Sequence, residues 1–86
     1  MAPTDLSEEQ LQVFATNKTI VADFFLDRSA IANINVYDVL GNLIYTAQET
    51  VGYSRENIDL NHVPGGVYFI NIDVNGTVKS EKVILQ

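Results

Sequence analysis

Apolar and polar residues alternate with a period of two along most of the chain, the spacing that puts successive side chains on opposite faces of a strand. The alternation starts at Leu11 and predicts a first strand over Leu11 to Ala15. Thr19 to Leu26 follows, with Ile20, Ala22, Phe24 and Leu26 on one face and Asp23 and Asp27 on the other. One packed face and one wet face is the signature of antiparallel sheet. Asn33 to Val39 sets Ile34 and Val36 against Asn35 and Tyr37, and Leu40-Gly41-Asn42 supplies turn residues before Leu43 to Gln48 resumes strand character. These two strands are expected to form a hairpin.

Glu56 to Leu60 is a short fifth strand, ended by Asn61 to Gly66, where His62, Pro64 and Gly65-Gly66 break any regular element. Gly66 to Val74 is next, with Tyr68, Ile70, Ile72 and Val74 sharing a face opposite Asn71 and Asp73, and Val67 and Phe69 as partly exposed apolar residues on the polar side. Asn75-Gly76 accepts the two positive φ angles of a type I′ turn, so Thr77 to Leu85 pairs back antiparallel. That last strand carries two phases, Val83 and Leu85 against Val78 and Ile84, which a bulge near Lys82 or burial of both faces would reconcile. No long window holds a helical apolar stripe. The expected fold is all-β: a small antiparallel β-sandwich with Ig-like Greek-key connections and about seven strands. The cysteines and tryptophan of antibody domains are absent, so only the architecture is implied.

Length allows one domain. Residues 1–10, with Pro3 and three acids, read as a linker or tail, with a helical turn from Ser7 as the alternative; residues 11–86 read as one β-sandwich domain. The hydrophobic share of 47% is too high for a disordered tail, and polar interruptions leave no run long enough to span a bilayer. Eleven acidic residues against five basic ones give a formal charge of −6. The bases are scattered, so nucleic acid and anionic membranes are unsuited as partners. Without cysteine there is no thiol catalysis and no Cys-based zinc site. No charged segment followed by an apolar one opens the chain, so it is expected to carry no ordinary export signal of its own, and Met1-Ala2 read as an added start would make it a piece of something longer.

Candidate chemistry is sparse. His62 is the single histidine, Asp59 is the nearest carboxylate in sequence, and no serine lies in a nucleophile-elbow context, so no catalytic residue is assigned and no enzyme is expected. Asp73-x-Asn75-Gly76 has the flavour of a calcium loop, and Asp59-x-Asn61 could add oxygens if the two turns met. The hairpin turn explains Asn75-Gly76 without a metal, so neither metal nor cofactor is assigned. Tyr45, Tyr53, Tyr68 and Phe69 could give a flat aromatic platform for sugars, which makes a carbohydrate-binding or adhesive module of a secreted enzyme the second reading.

A more specific signal runs through the second half of the chain. Ile34-Asn35-Val36-Tyr37-Asp38-Val39-Leu40-Gly41-Asn42-Leu43-Ile44 is followed by Ile58-Asp59-Leu60, by Val63-Pro64-Gly65-Gly66-Val67-Tyr68-Phe69-Ile70, by Asn75-Gly76 and by Glu81-Lys82-Val83-Ile84-Leu85. In this order and spacing the segments closely resemble the type A C-terminal sorting domain of the type IX secretion system of Bacteroidota, over about 33–86. Val63 stands where that family usually has leucine, and Val13 to Asn17 replaces its usual Pro-Asn-Pro opening.

The resemblance implies a non-catalytic domain that directs an attached N-terminal cargo from the periplasm across the outer membrane to the medium or cell surface. It also implies partners in the outer-membrane translocon and shuttle components, and a sortase-like protease that removes the domain. The motif-matched positions for translocon recognition are Tyr37, Asp38, Leu40, Gly41, Pro64, Gly65, Gly66, Tyr68, Lys82, Val83, Ile84 and Leu85. The closing strand is the foremost contact, since an edge strand can pair with an incoming one. Gly41 and Gly66 also have a plain backbone reading, positive φ or close approach. Tyr37 and Tyr68 have one too, as packed rings with a hydroxyl at the rim.

Overall fold

A computed structural model describes residues 10–86, so the expected linker with its alternative helical turn from Ser7 falls outside the described residues apart from Gln10. All regular structure there is strand: β1 (Leu11–Thr16), β2 (Thr19–Tyr37), β3 (Leu43–Asp59), β4 (Gly66–Val74) and β5 (Thr77–Leu85). Every pairing is antiparallel. β2 is the spine: its first half lies between β1 and β3, its second half between β3 and β4, with β5 beyond β4.

The strands number five, not about seven. β2 runs through the second and third expected strands, and β3 through the fourth and fifth. The reason is a register shift: Phe25 pairs with Tyr53 and Ala30 with Val51, so Leu26 to Ser29 stand opposite Gly52 alone. Asp27-Arg28-Ser29 look like a break in the sequence, yet they bend a continuous strand as a bulge does. The third expected strand also stops at Tyr37 and not Val39, because Asp38 begins the turn.

The bend lets both halves of the sheet bury one core. Leu11, Ile20, Ala22, Phe24 and Ile58 from one half join Ile34, Val36, Ile70, Ile72, Val83 and Leu85 from the other. Burying a Leu, Ile, Val or Phe side chain contributes roughly 1.5–3 kcal/mol, so this shared interior is the main force holding the bend closed. Folding the sheet over brings β1 beside β5, and the Gln86 N–H donates to the Asn17 carbonyl at 3.0 Å.

The β4–β5 hairpin turns as expected, with positive φ at Asn75 (54°) and Gly76 (86°) and the Asp73 carboxylate accepting from the Gly76 N–H at 2.8 Å. Its register is unbroken from Gly66 opposite Leu85 to Val74 opposite Thr77. The bulge considered near Lys82 is therefore absent, and burial of both faces fails as well: Val83 and Leu85 are buried while Ile84 is 60% exposed.

Candidate functional site

Two glycine-containing turns and the chain end meet at one end of the folded sheet, and each has a local cause. In the β2–β3 turn the Asp38 carboxylate accepts from the Leu40 N–H and the Asn42 N–H, each at 2.9 Å, and from the Asn42 side-chain amide at 3.1 Å. Such side-chain-to-backbone bonds replace the ladder where the strands separate. Gly41 supplies φ +86° and donates to the Asp38 carbonyl. The Asn42 N–H, then its side-chain amide, hold the Asp38 carboxyl below the usual carboxylate range. Leu40 projects from the turn 83% exposed, with Val39 exposed beside it.

The second turn runs from Leu60 to Gly66. The Asp59 carboxylate caps it, accepting from the Asn61 N–H at 2.9 Å and from the Asn61 side chain, which hold the carboxyl below its usual range. Leu60 plugs the core, and its N–H donates to the Lys18 carbonyl at 2.8 Å. The Lys18 ammonium donates to the Val63 carbonyl at 2.8 Å. The Tyr68 ring is buried and its hydroxyl donates to the Pro64 carbonyl at 2.6 Å. Gly65 lies against the backbone of Leu85 and Gln86, and Gly66 takes φ +146°.

Across the outer face of β2, β4 and β5 the register aligns Tyr37 with Phe69 and Phe69 with Lys82, with Leu43 on the other flank of Tyr37. Val67 pairs with Ile84 one step further out. The next row inward is polar and hydrogen-bonded: Thr46 donates to Asn35 at 2.7 Å and Asn71 to Ser80 at 3.0 Å. The face is thus polar toward the middle and apolar at the end, where a hollow of about 350 Å³ lies over Tyr37, Phe69, Asn71, Ser80 and Lys82. Phe69 and Ile84 stand 43% and 60% exposed.

The residues matched by motif therefore share one end of the molecule but not one role. Tyr37, Asp38, Leu40, Gly41, Pro64, Gly65, Lys82 and Ile84 present atoms to solvent, whereas Tyr68, Val83 and Leu85 are buried and support them from beneath. Motif reading includes Leu43 in the matched run without placing it among the recognition positions, and it passes over the Asn17-Lys18 turn. The turn's signal was available: two residues between period-two runs, with Asn17 at φ 54°. Leu43 joins the row only through pairing with Tyr37, which its own neighbours do not announce.

Other candidate groupings do not assemble. The Asp73-Asn75 and Asp59-Asn61 turns lie at opposite ends of β4, and both carboxylates are engaged by their own turns. Among the described residues no group of three or more His, Asp or Glu side chains is placed to hold a metal ion. His62 is exposed next to a carboxylate already bound to Asn61. The four aromatic residues of the suggested platform are dispersed. Tyr45 packs toward the core and Tyr68 lies within it; Tyr53 stacks edge-on with Phe25 at 5.4 Å on one half of the sheet, and Phe69 is on the other.

A family model described as secretion system C-terminal sorting domain matches residues 11–86. No curated protein matches the chain significantly.

Proposed function

The chain belongs to the family of secretion system C-terminal sorting domains, and on that premise we propose that residues 11–86 form one export module read by its folded shape, with residues 1–10 leading in from an upstream cargo. The outer-membrane translocon and shuttle components of a type IX system are the partners, and the cargo passes from the periplasm to the medium or cell surface. A sortase-like protease then removes the module. The role is not enzymatic: it asks for a surface and not for a nucleophile. The two halves of the bent sheet act as the layers of an Ig-like Greek-key sandwich, whose stiffness holds that surface in place.

One observation carries this reading: motif positions spread from Tyr37 to Leu85 converge on one end of the sheet, so that a partner can meet them together. The closing strand supplies Lys82 and Ile84 to that surface and anchors it inward through Val83 and Leu85.

The test is to attach the 86-residue chain behind an inert reporter in a bacterium with type IX machinery. The reporter should reach the medium or cell surface, and deletion of Lys82 to Gln86 should keep it inside. A reporter retained with the intact module would overturn the sorting role, and one exported despite the deletion would overturn the part given to the closing strand.

A further inference from the structure

Among the described residues β1, β3 and β5 each have only one hydrogen-bonded neighbour. An unpaired strand edge is a template for another strand, and proteins protect such edges with charge, proline, bulges or a covering element. β1 and β5 face each other: Gln12, Val13 and Phe14 share a slot with Lys79 and Glu81, and the Gln86 N–H bridges to Asn17. Among the described residues β3 has no such cover. Its second half carries Arg55, Glu56 and Asp59, but Leu43-Ile44-Tyr45-Thr46-Ala47-Gln48 has no charge, proline or glycine. It is an uncharged, strand-forming run on an open edge.

We infer that Leu43 to Gln48 is an interface at which a second copy of this chain adds antiparallel about a two-fold axis. The register follows from the faces. Thr46 and Gln48 stand on the outer face opposite Asn35 and Asn33, while Tyr45, Ala47 and Glu49 stand on the inner face opposite Val36, Ile34 and Ala32. Directly opposed residues of an antiparallel pair share a face. With the axis at Ala47, Thr46 meets Gln48 of the second copy, Tyr45 meets its Glu49, and the small alanine meets itself. Hydroxyl is set against amide and phenol against carboxylate, with no like charges opposed. Moving the axis to Gln48 sets the Glu49 carboxylate against an alanine, and moving it to Thr46 sets Gln48 against Ile44. The sequence favours Ala47.

Sedimentation of the 86-residue chain over a wide concentration range tests this, with amide hydrogen exchange at low and high concentration. A monomer–dimer equilibrium is expected, with protection of Leu43 to Gln48 rising with concentration. Thr46→Lys with Gln48→Lys sets like charges opposite one another and should weaken the dimer about tenfold or more. Thr46→Lys with Gln48→Glu sets opposite charges together and should retain it. Both side chains are exposed, and both double variants replace the same bonds to Asn35 and Asn33, so their melting curves should match each other. A monomer at all concentrations, protection that ignores concentration, or a dimer that treats the two double variants alike would overturn the proposal.

Discussion

A Cβ placed on Gly65 would lie 3.1 Å from the carbonyl oxygen of Leu85, so the corner before β4 and the end of β5 touch backbone to backbone. The obstacle is a strand held by its own ladder, which cannot swing aside as a side chain could. Gly65→Ala should therefore destabilise by about 1–3 kcal/mol, the range for overpacking. Gly52→Ala, whose Cβ would meet only Ser29 at an ordinary 3.8 Å, should be close to neutral. Urea unfolding of both variants checks the contrast.

Tyr68 separates ring from hydroxyl. Tyr68→Phe keeps the buried ring and loses the bond to the Pro64 carbonyl, for about 0.5–1.5 kcal/mol. Tyr68→Ala removes the ring as well and should cost about 3–5 kcal/mol. A Tyr68→Phe variant as stable as the parent in equilibrium unfolding would refute the hydroxyl's role, and equal losses for the two variants would refute the ring's.

Ile70 and Phe24 are buried on opposite halves of the sheet and meet in the common core. Ile70→Ala or Phe24→Ala should each cost roughly 2–5 kcal/mol. Against a typical total of about 5–15 kcal/mol for a small domain, either loss is enough to lower thermal melting sharply.

Stability should depend on pH with two opposite signs. Asp38 and Asp59 are held low by their turns, and Asp23 by its hydrogen bonds to Arg55. A depressed carboxyl contributes stability that is present above its unfolded value, about 3.9, and is lost as pH falls through the lower folded value. Glu56 is pushed up by burial and by the nearby Glu49. Its folded form favours the proton, so acidification from neutral toward its unfolded value, about 4.3, relieves a destabilisation. Melting temperature should rise slightly on mild acidification and fall below about pH 4. Glu56→Gln should erase the rise and Asp38→Asn should flatten the fall.

Recognition and folding separate on the outer face. Phe69→Ser and Lys82→Glu alter exposed side chains, so they should shift melting little and reduce export of an attached reporter. Wild-type export by both would remove that face from recognition, while a large drop in melting would show that the residues serve the fold.

The strand faces and hairpins were legible because their causes are local. Ile20, Ala22 and Phe24 share a buried face as the alternation required, Phe69 is half-exposed beside Asn71, and Asn75-Gly76 turns β4 into β5. The one ambiguous strand, β5, was settled by β4: an unbroken ladder forces a single phase, which leaves Ile84 in solvent whatever its hydropathy.

Sequence alone determined that this chain is antiparallel sheet, where most of its turns lie and which residues carry the family pattern, since period-two patterning and turn chemistry act over a few neighbours. Tertiary structure decided that Leu26 to Ser29 bend a strand without ending it, that Gly65 meets Leu85, that Tyr37, Phe69 and Lys82 form one row, and that β3 has one strand neighbour among the described residues. Each of these depends on partners far away in the chain, and only the collapse of both sheet halves onto one core fixes which partners meet.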